Sequence, residues 1–155
     1  MKKQEFLSVA ERLNKELYIV PLLYGSLGLE QRLQTDLNAE DIDILLPEVF
    51  LREKWNRIVS LMEENGYVLY DLHEHAFEKA GISVAFASLE DLASFAGVDL
   101  TEIPVIEESG VRYFLLTVQD YLKVYTASSK DGYRKTKKHK QDGQKINLIR
   151  KALGK

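Results

Sequence analysis

Asp41 and Asp43 stand two residues apart in a run, Asp41-Ile42-Asp43-Ile44-Leu45-Leu46, that reads as a β-strand ended by Pro47. Side chains alternate faces along a strand, so both carboxylates point one way while Ile42 and Ile44 point the other, into a core. At about 3.3 Å per residue their Cα atoms lie ~6.6 Å apart. Carboxylates on that spacing converge on one Mg²⁺ or share a pair of metals. The chemistry they suit is phosphoryl transfer, which depends mostly on positioning and charge neutralisation. An acid/apolar alternation also marks any half-solvated strand, so the pair acquires meaning only beside a second motif.

That second motif lies upstream. The apolar run Tyr18 to Tyr24 reads as a short buried strand, with Pro21 in its first half or at an edge. Gly25-Ser26-Leu27-Gly28 breaks it as a tight turn, followed by one or two helical turns over residues 27–33. Backbone N–H groups at such a turn form an anion nest for a nucleotide's phosphates. Glycine permits close approach, and the Ser26 hydroxyl adds a hydrogen bond. The spacing of Gly25 and Gly28 also evokes a KH loop, but the flanking KH pattern is missing. There is neither a Walker A sequence nor a Rossmann fingerprint.

The elements that must hold these motifs follow from periodicity. Phe6, Val9, Ala10, Leu13 and Leu17 recur at helical spacing over residues 3–17. Phe50, Leu51, Trp55, Ile58, Val59 and Met62 make a long amphipathic helix stopped at Asn65-Gly66. Tyr67 to Leu72, Glu74 to Lys79 and Ile82 to Phe86 read as three strands, the last two joined at Ala80-Gly81. Ser88-Leu89-Glu90-Asp91 looks like a capping box opening a short helix that ends near Gly97. Ile103–Ile106 and Val111–Leu115 form a hairpin around Ser109-Gly110. A second capping box at Thr117 opens a helix through Tyr125, and a last helix runs from about Asp142 to Leu153. Strands that follow one another in places and alternate with helices in others indicate an α+β fold.

Strand, Gly-Ser turn, helical turn and Asp-x-Asp strand together resemble the nucleotidyltransferase superfamily. The match is Tyr24-Gly25-Ser26 with Asp41-Ile42-Asp43-Ile44-Leu45, and it extends over residues ~18–90. The resemblance implies a mixed β-sheet flanked by helices, with Gly25 and Ser26 holding the triphosphate of an NTP and Asp41 and Asp43 holding Mg²⁺. It implies transfer of an NMP to a hydroxyl acceptor on a small molecule, an RNA or a protein. The family adds a third carboxylate on a later strand, and that strand here, Ile82-Ser83-Val84-Ala85-Phe86, carries Ser83 and Ala85 instead. Glu78 ranks first as a substitute base, because the hairpin brings it beside Ser83; Glu74 and Asp71 are the other candidates. Family members close C-terminal lysines over the triphosphate, for which Lys123, Lys130 and Arg134 are candidates by position. The alternative is a module that keeps nucleotide, nucleic-acid or partner-protein binding and has lost transfer.

Composition sets the frame. The 155 residues contain no cysteine, which excludes disulfides, thiolate zinc sites and a cysteine nucleophile. Without an apolar leader or a run near 20 apolar residues, the expectation is one soluble, cytoplasmic domain over 1–155 with no membrane association. Residues 1–121 carry a net charge of −12 and residues 122–155 a net charge of +9. The basic run Lys130–Lys140, with Tyr133, either packs on the acidic body or grips a polyanion. His73-Glu74-His75 places two imidazoles on one face of a strand as a further, incomplete metal motif.

Overall fold

The computed structural model describes residues 2–129 and 139–154, with side chains in the second stretch from residue 143 onward. The elements are α1 (Lys2–Leu17), β1 (Leu22–Tyr24), α2 (Gly25–Leu33), β2 (Ile42–Leu46), a 3₁₀ turn (Glu48–Leu51), α3 (Trp55–Glu64), β3 (Val68–Asp71), β4 (Ala76–Lys79), β5 (Ile82–Ser88), α4 (Asp91–Ala96), a 3₁₀ turn (Leu100–Glu102), β6 (Val105–Glu108), β7 (Val111–Phe114), α5 (Val118–Ser129) and α6 (His139–Ala152). The α+β order expected from periodicity is the order found.

The seven strands form one mixed sheet, ordered β3-β4-β5-β2-β1-β7-β6. The central strand β2 pairs antiparallel with β1 and parallel with β5. Alternation along β2 divides the core. Ile42, Ile44 and Leu46 join Phe6, Leu13, Ile58 and Met62 of α1 and α3 on one face. Leu45 joins Leu29, Leu92, Tyr121 and Ile149, from α2, α4, α5 and α6, on the other. A strand buried on both faces explains why Ile42-Leu46 reads as nearly continuous apolar sequence interrupted only at Asp43.

Several boundaries differ from the periodicity, each for a local reason. β1 is only three residues long, because Pro21 has no N–H for a ladder; its carbonyl instead accepts from Phe114 N–H at 2.8 Å. The Phe50–Met62 helix is broken into the 3₁₀ turn and α3. Ser88 does not cap α4: it belongs to β5, and its buried Oγ has no partner among the described residues. The Glu90 carboxylate of that motif accepts instead from the N–H of Glu48, at 3.0 Å, serving the start of a different helical turn. Thr117 does act as expected, accepting from Asp120 N–H at 3.1 Å. His73, Glu74 and His75 form the turn between β3 and β4 rather than a strand. The ring of His75 packs edge-on against Trp55 at 4.7 Å, so the paired-imidazole motif does not form.

Two Lys–Glu–Tyr clusters fasten the first turn of α1 across the sheet. Glu5 accepts from Tyr67 O–H at 2.8 Å and pairs with Lys79 at 2.9 Å. Lys3 pairs with Glu108 at 2.9 Å, and Glu108 accepts from Tyr113 O–H at 3.0 Å. The Lys79 hydrogen bond, then that of Tyr67, holds the Glu5 carboxyl below its ordinary value; Lys3 does the same for Glu108. Depressed carboxylates add stability above their unfolded pKa, and that stability is lost as pH falls through the folded value. The urea midpoint should therefore drop between about pH 5 and pH 3, and Glu5→Gln should flatten that acid limb.

Gly28 sits where α2 crosses β1. A Cβ there would meet the Tyr121 hydroxyl and approach the Leu23 carbonyl oxygen to 2.6 Å. Tyr121, fully buried, donates to that same carbonyl at 3.1 Å. The second glycine of the turn thus serves packing rather than a nucleic-acid loop. Gly28→Ala should cost ~1–3 kcal/mol, read as a lowered urea midpoint at unchanged m-value.

Candidate functional site

The antiparallel register sets Tyr24 opposite Asp43, with Leu23 opposite Ile44 and Leu22 opposite Leu45. The chain then turns directly into α2, so Gly25 and Ser26 are its first residues rather than a separate turn before it. Gly25 has φ +64°, a backbone state that favours glycine. A Cβ on it would fall on Asp43 Oδ2. The helix N-terminus and the carboxylate are therefore in direct apposition. The side chain of the N-cap residue Tyr24 makes no capping hydrogen bond, and the first turn of the helix holds no acid. The leading N–H groups and positive dipole end of a helix suit an anion.

Asp41 lies just ahead of β2 and is exposed; Asp43 is half-buried within it. β2 starts at Ile42 because β1 has by then become α2, leaving Asp41 without a ladder partner on that side. Both aspartates nonetheless line one cleft of about 960 Å³, together with Gly25, Ser26, Glu74 and Lys145. On β5 the residue abreast of Asp43 is Ala85. The strand in which the resemblance looks for a third acid thus presents a methyl group at the nearest position. Glu78 is paired with Ser83, as the hairpin suggests, but it is exposed and does not line the cleft. Glu74 does line it, which reverses the ranking of the two. Asp71 is used locally, accepting from Glu74 N–H at 3.1 Å to close the β3–β4 turn.

Of the positional candidates Lys123, Lys130 and Arg134, Lys123 alone is among the described residues. Tyr121, Val124, Tyr125 and Ser128 form the stripe of α5 that faces the cleft. Lys123, two residues on from Tyr121, therefore points to solvent and pairs with Asp120 at 3.7 Å. Lys130 and Arg134 lie outside the described residues, as does Tyr133. Among the described residues the lysine that lines the cleft is Lys145 of α6, which donates to Ser26 Oγ at 2.8 Å and lies 5.2 Å over the Tyr125 ring. Lys145 forms no motif with its neighbours in the sequence and is one of several basic residues of α6. The signal that could have found it is its place within the positive C-terminal third.

Mg²⁺ fits the donor set. Asp41 and Asp43 offer hard oxygen ligands in the cleft, and the missing Cβ of Gly25 leaves the space that Asp43 Oδ2 occupies. Among the described residues no group of three or more His, Asp or Glu side chains could hold a metal by itself. Two carboxylates with the balance from phosphate oxygens and water is how Mg²⁺ is ordinarily held. Gly25→Ala should push the Asp43 carboxylate aside and add ~1–2 kcal/mol of backbone strain. Urea unfolding reads the strain, and calorimetry with a Mg²⁺·nucleotide should read lost binding.

The chain is 48% identical over 149 residues to the "Uncharacterized protein YnaI" of Bacillus subtilis strain 168, covering 96% of each. No protein-family model matches it. Among solved structures it resembles an antigenic nucleotidyltransferase-like protein from Paracoccidioides brasiliensis, with a TM-score of 0.67 at 15% identity, over 95% of this chain and 74% of that one. It also resembles the antibiotic-resistance factor ANT(2'')-Ia, in solution (TM-score 0.50, 16% identity, 98% and 91% of the two chains) and in complex with adenylyl-2''-tobramycin (TM-score 0.52, 12% identity, 98% and 97%). At these identities the likeness establishes the nucleotidyltransferase-like fold. No described helix is long and apolar enough to cross a membrane.

Proposed function

We propose that this chain, which belongs to the same family as Bacillus subtilis YnaI and has a nucleotidyltransferase-like fold, transfers a nucleotidyl group from an NTP to a hydroxyl acceptor with the help of Mg²⁺. One observation carries the reading: the α2 N-terminus and two aspartates meet in a single cleft, with Gly25 against Asp43. An anion site and a cation site in contact suit a Mg²⁺·triphosphate better than either ligand alone.

In this reading the leading N–H groups of α2, Ser26 Oγ and Lys145 hold the phosphates, and Asp41 and Asp43 hold the metal. Bound there, Mg²⁺ supplies neutralisation of charge on the phosphates. The acceptor oxygen attacks the α-phosphorus in line, the bond from that phosphorus to the β-bridging oxygen breaks, and pyrophosphate leaves. The acceptor's proton passes to Glu74, the carboxylate that the β3–β4 turn brings to the cleft. Rigid backbone on both sides of the site fixes these groups before substrate arrives, which is where the rate advantage arises.

A second reading is favoured by Ala85. A methyl group abreast of Asp43 is compatible with a site that binds Mg²⁺·NTP and does not turn it over. ANT(2'')-Ia is seen in complex with adenylyl-2''-tobramycin; for this chain, aminoglycosides are one acceptor class to screen beside RNA ends and protein hydroxyls.

Pyrophosphate release from labelled NTPs across such an acceptor panel separates the readings. Transfer should fall about a thousandfold in Asp43→Asn, equivalent to ~4 kcal/mol. Lys145→Ala should weaken Mg²⁺·NTP binding roughly tenfold, while Lys123→Ala should leave it unchanged. Wild-type turnover surviving in Asp43→Asn would overturn the metal assignment. Tight binding with no release on any acceptor would establish the second reading.

A further inference from the structure

We infer that Phe95 and Leu148 form the subsite that takes the nucleobase, an assignment resting on the nucleotide reading of the cleft. Both side chains are anomalous in their own helices. On α4, Leu92 and Ala96 join the core beneath the sheet's second face, while Phe95 does not and is 44% exposed. On α6, Ile146 and Ile149 join the same core, as does Leu153 just beyond the helix, while Leu148 does not and is 38% exposed. Apolar side chains left single on a surface are ordinary. These two, from different helices, open into the same cleft as the aspartates.

The cleft is polar in one direction and apolar in the other. β2 and β5 run parallel with Asp43 abreast of Ala85. Toward the strands' N-terminal ends the lining is Asp41 and Glu40, while Glu74 stands off the β4 side of β5, beyond the pairing of His75 with Phe86. Toward their C-terminal ends it is Leu45 and Ala87, which are again abreast, and then Phe95 of the helix that follows β5. An anionic triphosphate is drawn to the α2 N-terminus and Lys145, near the middle. The flat, neutral base is excluded from the acidic end only weakly, but at the apolar end it gains a ring to stack on and apolar surface to cover.

Spacing along α6 agrees with this polarity. Lys145 and Leu148 are three residues apart, so they share a face and stand ~4.5 Å apart along the axis. Lys145 is anchored at Ser26. The helix thus offers a cation beside the phosphate site and, one turn on, an apolar side chain that lines the same cleft. The β4 side of the cleft, where Glu74 stands, is left for the acceptor.

The test compares two probes on the full chain: a non-hydrolysable ATP analogue with Mg²⁺, and Mg²⁺·tripolyphosphate, which has no base. Calorimetry on wild type, Phe95→Ala, Leu148→Ala and Phe95→Trp gives the affinities. Phe95→Ala should weaken the ATP analogue about tenfold and Leu148→Ala severalfold, with tripolyphosphate unchanged and Phe95→Trp close to wild type. Equal weakening of both probes would mean that the residues support the fold rather than touch the base, and would overturn the assignment. Wild-type affinity for the analogue in both alanine variants would overturn it while leaving the phosphate site intact. A wild type that binds neither probe would remove the nucleotide reading itself, and this inference with it.

Discussion

The site depends on one close approach: the Cα of Gly25 against the carboxylate of Asp43. It follows from the antiparallel pairing of β1 with β2, which sets Tyr24 opposite Asp43 at the point where β1 ends. Because α2 begins at the next residue, a helix N-terminus is aimed along the side of the sheet that bears the acid. A residue with a Cβ at position 25 would both resist φ +64° and occupy the carboxylate's place. The two charged binding functions, one for anions and one for a cation, therefore come from a single backbone junction.

Around that junction the structure is built for rigidity on one face and access on the other. α1 and α3 cover the face of Ile42 and Ile44, and α1 is tied to the sheet's two halves by the Glu5–Lys79–Tyr67 and Lys3–Glu108–Tyr113 clusters. On the opposite face, Gly28 lets α2 lie close enough for Tyr121 to reach the Leu23 carbonyl. The bond joins α5 to the strand that leads into the phosphate-facing turn. Lys145 adds α6 to the same point through Ser26. Three helices thus converge on the end of a three-residue strand, and the cleft is the space they leave above β2 and β5.

The electrostatics of the cleft are divided in the same way as those of the chain. Its acidic lining comes from residues 40–74 and its lysine from the positive C-terminal third. The opposition of charge that is visible in the sequence as a split between two segments becomes, on folding, a contact between Lys145 and the serine beside the acids. Part of the basic tail does pack on the acidic body, at the place where a phosphate chain needs a cation.

Much of this was legible in the chain. Apolar periodicity determined the order of helices and strands, because burial of one face per element is a local property of spacing. The Asp-x-Asp run and the Gly-Ser pair were legible because their chemistry resides in adjacent residues. What the spacing of residues left open was everything set by contact across the sheet. The parallel register decided that Ala85 stands abreast of Asp43. The β3–β4 turn decided that Glu74, not Glu78, faces the cleft. Helix phase decided that Lys123 points outward, and the packing of α6 brought in Lys145 from 119 residues beyond Ser26. A pattern along a chain reports which face a side chain takes; only the pairing of strands and the packing of helices determine what stands on the other side.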